Sequence, residues 1–366
     1  MNGRARSPRQ RTARGRSWVG EQMEAEVGPV AHGGHCVARV DGRAVFVRHA
    51  LPGERVLLQI TEGTEGDRFW RADAVSVLEP SADRVAAPCP YAGPDACGGC
   101  DFQHVDLAAQ RALKATVVAE QLRRGARIDV QVEVEAVPGD EAGLHWRTRQ
   151  RYVELPDGGL GMRKHRSREV VPIDACLLEG PDPSHEVRGH RFEVAPGGFW
   201  QVHPGAPGTL VGAVLDAVDP RVGESALDLY AGVGLFSHFL KQAVGDAGTV
   251  TAIEGDASAS ALTSRNCGDV EALLGDVASV LAGWETRSVD LVVLDPPREG
   301  AKRQVVEQVV ARQPRAVAYV ACDPAALARD VAIFAEHGYG LSSLRAFDLF
   351  PMTHHVECVA LLEKTD

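Results

Sequence analysis

Asp228-Leu229-Tyr230-Ala231-Gly232-Val233-Gly234 closes one apolar run and leads directly into a segment of helical spacing. Glycines at such a turn let the chain reverse tightly and bring its backbone close to a ligand. The same grammar recurs downstream. Val250-Thr251-Ala252-Ile253, Val289-Asp290-Leu291-Val292-Val293-Leu294 and Ala316-Val317-Ala318-Tyr319-Val320 alternate with helix-like stretches. Short apolar runs of this kind suit strands buried on both faces of a parallel sheet. Two closing runs, Leu344 to Leu349 and Val356 to Leu362, predict an antiparallel pair at the end of that sheet. Residues 196–366 therefore read as a doubly wound, Rossmann-like α/β domain, with ligands at the carboxyl ends of its strands.

Upstream the pattern differs. Residues 18–78 hold alternating runs such as Arg55-Val56-Leu57-Leu58-Gln59-Ile60, cut by turns at Gly33-Gly34, Asp41-Gly42 and Pro52-Gly53. They predict a small OB-like β-barrel, an architecture used by nucleic-acid binders. Residues 79–195 read as a central, mostly β domain with one helix from about Val105 to Arg124. Residues 1–17 form an arginine-rich arm, expected to be disordered or to touch nucleic acid. The net charge of −11 argues against a surface wholly built for phosphate, so nucleic-acid contacts are expected on patches: that arm and the basic stretch from Arg147 to Arg168. No apolar run reaches the ~18 residues of a membrane span. The chain is expected to be cytoplasmic and monomeric, without an obligate protein partner.

The glycine turn predicts a cofactor site. Gly232 and Gly234 would approach the ligand, and Glu254, at the end of the second strand, could accept both hydroxyls of a ribose. Phe236 and Ser237 occupy the place of a third glycine, so a nucleoside cofactor without a pyrophosphate, such as S-adenosylmethionine, fits better than NAD. Asp276 could reach an adenine or cap a helix.

Cys322, in Cys322-Asp323-Pro324, stands between a strand end and a helix start. The helix dipole there should favour the thiolate, which is the attacking form. A second strand end carries Asp295-Pro296-Pro297-Arg298, and Glu357 opens the last apolar run. Glu357 is either an exposed glutamate or a base facing the same cleft. A cysteine paired with a base suits methylation at carbon 5 of uracil. Thiolate addition at carbon 6 makes carbon 5 nucleophilic, and a base must later remove the carbon 5 proton so that the thiol can leave.

Cys89, Cys97, Cys100 and the distant Cys176 are the remaining clustered thiols. Their asymmetric spacing is compatible with zinc, with an iron–sulfur cluster or with free cysteines.

Asp295-Pro296-Pro297-Arg298, Cys322-Asp323-Pro324 with Leu327-Ala328-Arg329-Asp330, and Phe350-Pro351 through His355-Val356-Glu357 resemble the bacterial RNA 5-methyluridine methyltransferase family. The likeness runs over nearly the whole chain, with residues 18–78 similar to its TRAM domain. It implies Cys322 as nucleophile and Glu357 as base. It implies S-adenosylmethionine in a pocket lined by Gln201, Tyr230, Glu254, Asp276 and Asp295, and transfer or ribosomal RNA as substrate. It also implies a 4Fe–4S cluster on Cys89, Cys97, Cys100 and Cys176. Two positions depart from the family pattern: Leu235 replaces a polar residue in the cofactor loop, and His203 replaces an asparagine. Rival readings are methylation of another base and a non-catalytic RNA-binding or RNA-folding factor. Arg298 stands where adenine methyltransferases carry an aromatic residue, and Cys322 lacks the Pro-Cys context of cytosine enzymes.

Overall fold

The computed structural model describes residues 15–285 and 288–365. Most of the arginine-rich arm expected at residues 1–17 lies outside the described residues. Five strands, β1 (Gln22–Ala31), β2 (His35–Val40), β3 (Arg43–Arg48), β4 (Arg55–Glu62) and β5 (Phe69–Glu79), close a barrel in the order β1-β2-β3-β5-β4. Period-2 alternation turns Val45, Val47, Val56, Leu58 and Ile60 inward, where each is fully buried.

Helix α1 (Leu107–Gly125) follows, capped by Asp106, whose side chain accepts the N–H of Ala108 at 2.9 Å. Strand β6 (Val134–Ala136) comes next, then a small antiparallel sheet of β7 (Val153–Glu154), β8 (Leu160–Arg163) and β9 (Val170–Ile173). A hairpin of β10 (Glu186–Val187) and β11 (His190–Arg191) completes the middle of the chain.

The remainder is α2 (Ala206–Val218), β12 (Ser225–Leu229), α3 (Leu235–Val244), β13 (Thr249–Glu254), α4 (Ala257–Cys267), β14 (Glu271–Leu274), α5 (Val277–Gly283) and β15 (Leu291–Leu294). After these come α6 (Lys302–Ala311), β16 (Ala316–Ala321), α7 (Pro324–Glu336), β17 (Tyr339–Asp348) and β18 (Glu357–Lys364). The sheet order is β14-β13-β12-β15-β16-β18-β17-β6, with β12 to β16 parallel and β18 antiparallel between β16 and β17. This is the doubly wound domain with the antiparallel end that the apolar runs predict. Its edge also holds β6, from the segment read as central, which pairs in parallel with β17.

Helices cover both faces, so successive strand residues are buried in opposite directions. Leu291 and Val293 pack with Leu210, Val214 and Leu240 on one side. Val292 and Leu294 pack on the other with Val306, Leu327, Phe334 and the Val118 and Leu122 of α1.

Candidate active site

Parallel register aligns the ends of four strands. Leu229 lies beside Ile253 and Leu294, and Leu294 beside Tyr319. Tyr230, Glu254, Asp295 and Cys322 therefore emerge at one edge, the ligand-binding edge of such sheets. Strand β18 runs the opposite way and begins at that edge. Ala321 pairs with Cys358, so the next residues on either strand, Cys322 and Glu357, stand side by side. Glu357 is buried, only 4% exposed. That excludes the plain exposed glutamate left open by the sequence.

The charges in this corner act on each other. Burial pushes the Cys322 thiol up to about 12, with the carboxyls of Glu357 and Asp295 adding to the rise and Arg298 opposing it. These effects outweigh the thiolate-stabilising dipole expected at this helix start. Burial is the main reason, and Asp323, whose carboxylate caps α7 at Ala326, adds a smaller negative contribution. Burial holds the carboxyl of Glu357 well above the usual carboxylate range, Asp295 pushing the same way and Arg298 against it. Asp295 itself is raised to about 7 by burial and then by Asp228. Arg298 is the cation whose importance the sequence did not reveal, beyond its place after two prolines.

Two buried anchors hold the loops that carry these groups. Asp330 on α7 accepts the N–H groups of Ala301 at 2.7 Å and Lys302 at 3.2 Å, and the Tyr319 hydroxyl at 2.7 Å. It ties down the loop containing Pro296 to Arg298. On the other side, Gln110 of α1 accepts the Met352 N–H at 2.8 Å and donates to the carbonyls of Phe102 and Val105. Lys114 pairs with Asp348 and donates to the Phe350 carbonyl at 3.0 Å. The turn that delivers Glu357 is thereby fixed from α1.

The cofactor loop is built as its glycines demand. Tyr230, Gly232 and Gly234 all take positive φ, 64°, 59° and 92°. At Gly234 a Cβ would come within 2.5 Å of Cys267 Sγ, so only glycine fits. Glu254 accepts the N–H of Gly232 at 2.8 Å on one oxygen and that of Asp256 at 2.7 Å on the other. Its free lone pairs can still take two hydroxyls. Asp276 caps α5, accepting the Ser279 N–H at 3.0 Å, and its charge helps raise the Tyr230 phenol, so it stands at the same edge. Leu235 is buried in the core and offers no polar contact. Gln201 lies in the loop before α2, whose Val202 carbonyl accepts the Thr148 N–H at 2.9 Å.

Comparison with known proteins decides the class. The TRAM domain family matches residues 16–75, and the tRNA (Uracil-5-)-methyltransferase family matches residues 281–365. An RNA methyltransferase of Streptomyces avermitilis, itself uncharacterized, is 44% identical over 94% of this chain and 99% of its own. The chain belongs to the RNA methyltransferase family. A 23S rRNA (uracil(1939)-C(5))-methyltransferase of Shewanella amazonensis is 29% identical, covering 94% of this chain and 96% of that protein. The fold matches that of the Pyrococcus abyssi tRNA (uracil-54, C5)-methyltransferase bound to S-adenosyl-L-homocysteine. There the TM-score is 0.67 and the identity 20%, over 92% of this chain and 99% of that one.

Elsewhere in the methyltransferase, Cys89, Cys97, Cys100 and Cys176 line one cavity, together with Tyr91, Gln103, Arg147 and Gln150. Three of the sulfurs accept N–H groups: Cys176 from Gln150 at 2.8 Å, Cys100 from Gln103 at 3.4 Å and Cys97 from Gly99 at 3.4 Å. Burial raises the thiols of Cys89 and Cys97, and pushes that of Cys100 up to about 12. Among the described residues, no group of three or more His, Cys, Asp or Glu side chains is placed to hold a metal ion.

The basic stretch is only partly free to meet RNA. Arg149 donates to the Gly198 carbonyl at 3.0 Å, and Lys164 pairs with Asp95 and Glu169. Arg147 lines the cysteine cavity. Arg151, Arg163, Arg166 and Arg168 remain exposed. No helix among the described residues is long and apolar enough to cross a membrane.

Proposed function

We propose that this methyltransferase places a methyl group on carbon 5 of one uridine in ribosomal or transfer RNA, through a covalent Cys322 adduct. The observation that carries the reading is the register of β16 against β18, which sets Cys322 beside Glu357. The thiolate of Cys322 adds to carbon 6 of uracil, and the ring electrons then make carbon 5 nucleophilic. S-adenosylmethionine, when bound, would supply the methyl group that carbon 5 takes, S-adenosylhomocysteine being the leaving group. Glu357 next takes the proton from carbon 5, and the electrons of that bond expel the Cys322 sulfur. Burial disfavours the ionised forms of both groups. A cationic sulfonium beside them would favour their ionised forms, because an opposite charge stabilises an anion.

Gly232, Gly234, Tyr230, Glu254, Asp276, Asp295 and Gln201 are proposed to line the methyl donor's pocket. Glu254 would take the ribose hydroxyls. The barrel and the exposed arginines of residues 151–168 would hold RNA, in a cytoplasmic monomer.

Cys89, Cys97, Cys100 and Cys176 are proposed to ligate a 4Fe–4S cluster. The observation that supports the reading is that all four thiols line one cavity. A cluster offers one iron atom to each of four thiolates, which suits four thiols around one cavity. N–H donors aimed at the sulfurs suit ligated thiolates. The cluster would pin the loop at Cys97–Cys100 to the segment carrying Cys176, a structural role without redox turnover.

Mapping 5-methyluridine across cellular RNA with and without this protein tests the reading. One uridine should lose its methyl group when the protein is absent, and an unchanged map would defeat the proposal.

A further inference from the structure

The hairpin joining β1 and β2 does not end in solvent. At its tip, His32 Nε2 lies 3.2 Å from Asp323 Oδ2. The other oxygen of that carboxylate accepts the Ala326 N–H at 2.8 Å and caps α7. Asp323 directly follows Cys322. Nearby in the same turn, Gly34 is pressed against a second catalytic segment: a Cβ there would sit 2.9 Å from His354 Cβ and 3.0 Å from Asp101 Cγ. Asp101 holds His354, with Nδ1 to Oδ2 at 2.6 Å, in the turn that leads to Glu357. One hairpin of the barrel therefore touches both the residue after the thiol and the turn before the carboxyl.

We propose that His32 is a positioning residue of the methyltransferase, holding Asp323 and through it the Cys322 thiol. The proposal rests on reading Cys322 as the nucleophile. It makes the barrel part of the catalytic apparatus as well as a platform for RNA. The bond to Asp323 raises the pKa of His32 despite its partial burial, so the imidazolium is favoured. A cation there offsets the charge of Asp323, one of the groups that hold the Cys322 thiol neutral. The other charged groups acting on that thiol are Glu357 on β18, and Asp295 and Arg298 after β15. His32 is itself 38% exposed at its side chain, and exposed ion pairs contribute little to stability. Its removal should leave the fold intact and act on the thiol.

The test follows the alkylation of Cys322 by iodoacetamide in the full chain, read peptide by peptide with mass spectrometry. Buried Cys267 and Cys358 report on the fold. His32→Ala should slow Cys322 alkylation roughly threefold, the loss of one partly screened charge partner. His32→Gln, which restores a donor to Asp323 without the charge, should fall between His32→Ala and the native protein. Cys267 and Cys358 should stay protected throughout. A native alkylation rate in His32→Ala would overturn the proposal, as would exposure of Cys267 and Cys358, which would show a merely structural role. No RNA enters this measurement. Failure of the catalytic reading shows separately, as methyl transfer persisting in Cys322→Ala.

Discussion

The ammonium of Lys114 on α1 lies 2.5 Å from Asp348 Oδ1, with both side chains withdrawn from solvent. This pair joins the helix before the central sheets to the end of β17, at the entrance to the turn that delivers Glu357. Breaking one partner of a buried pair leaves an uncompensated charge, at a cost of about 3–5 kcal/mol. Lys114→Met should therefore lower the melting temperature markedly and reduce methyl transfer. Lys114→Met combined with Asp348→Leu should recover much of the stability, because an apolar pair strands no charge. Thermal unfolding of the two variants checks this.

Glu357→Gln separates the two halves of the reaction. The amide cannot take the carbon 5 proton, so addition and methylation proceed while elimination stalls. Turnover should fall by about 10²- to 10⁴-fold, the usual worth of a general base. A protein–RNA complex that survives denaturing electrophoresis should accumulate. A variant with equally slow turnover and no trapped complex would assign Glu357 to another step.

Asp228 is fully buried, accepts the Ser237 hydroxyl, and has its pKa raised by burial from 3.8 to about 7. Between about pH 4 and about 7 the folded chain keeps a proton that the unfolded chain has lost. Stability contributed by this group is therefore fully present at low pH and falls as pH rises through that window. Asp228→Asn removes the titration and keeps an acceptor for Ser237. Its melting temperature should decline less between pH 5 and pH 7 than that of the native protein, by on the order of a few degrees. Parallel curves would show that the carboxyl does not titrate there.

Protein purified without oxygen should carry iron, at about four atoms per chain for one 4Fe–4S cluster. Cys100→Ser should lose iron and loosen the loop at Cys97–Cys100 to proteolysis, with the barrel remaining intact. Zinc in place of iron, or no metal in either protein, would contradict the cluster.

The glycine turn at 228–234 and the apolar runs after it were enough to foresee the parallel sheet, because strands buried on both faces leave a local record. The same holds for the barrel, whose inward residues alternate. Strand β6 left no such record: three residues at a sheet edge acquire their partner only when β17 is in place. Polar Gln110 and Lys114 sit four apart on the buried face of α1, a pattern that could have flagged a contact with another segment. The placement of Cys322 at a strand end was legible, yet its ionisation was not. The helix start is visible in Cys322-Asp323-Pro324, but the burial and the carboxyls of Glu357 and Asp295 come from other strands.

The central claim is a covalent bond between Cys322 and carbon 6 of the target uridine. RNA carrying 5-fluorouridine tests it most directly, because the carbon 5 fluorine cannot leave as a proton and elimination is blocked after methyl transfer. Incubated with S-adenosylmethionine and digested, the protein should yield one nucleotide-linked peptide, with the mass of the methylated fluoropyrimidine on Cys322. A nucleotide attached to any other residue, or methyl transfer to natural RNA at full rate by Cys322→Ala, would contradict the account.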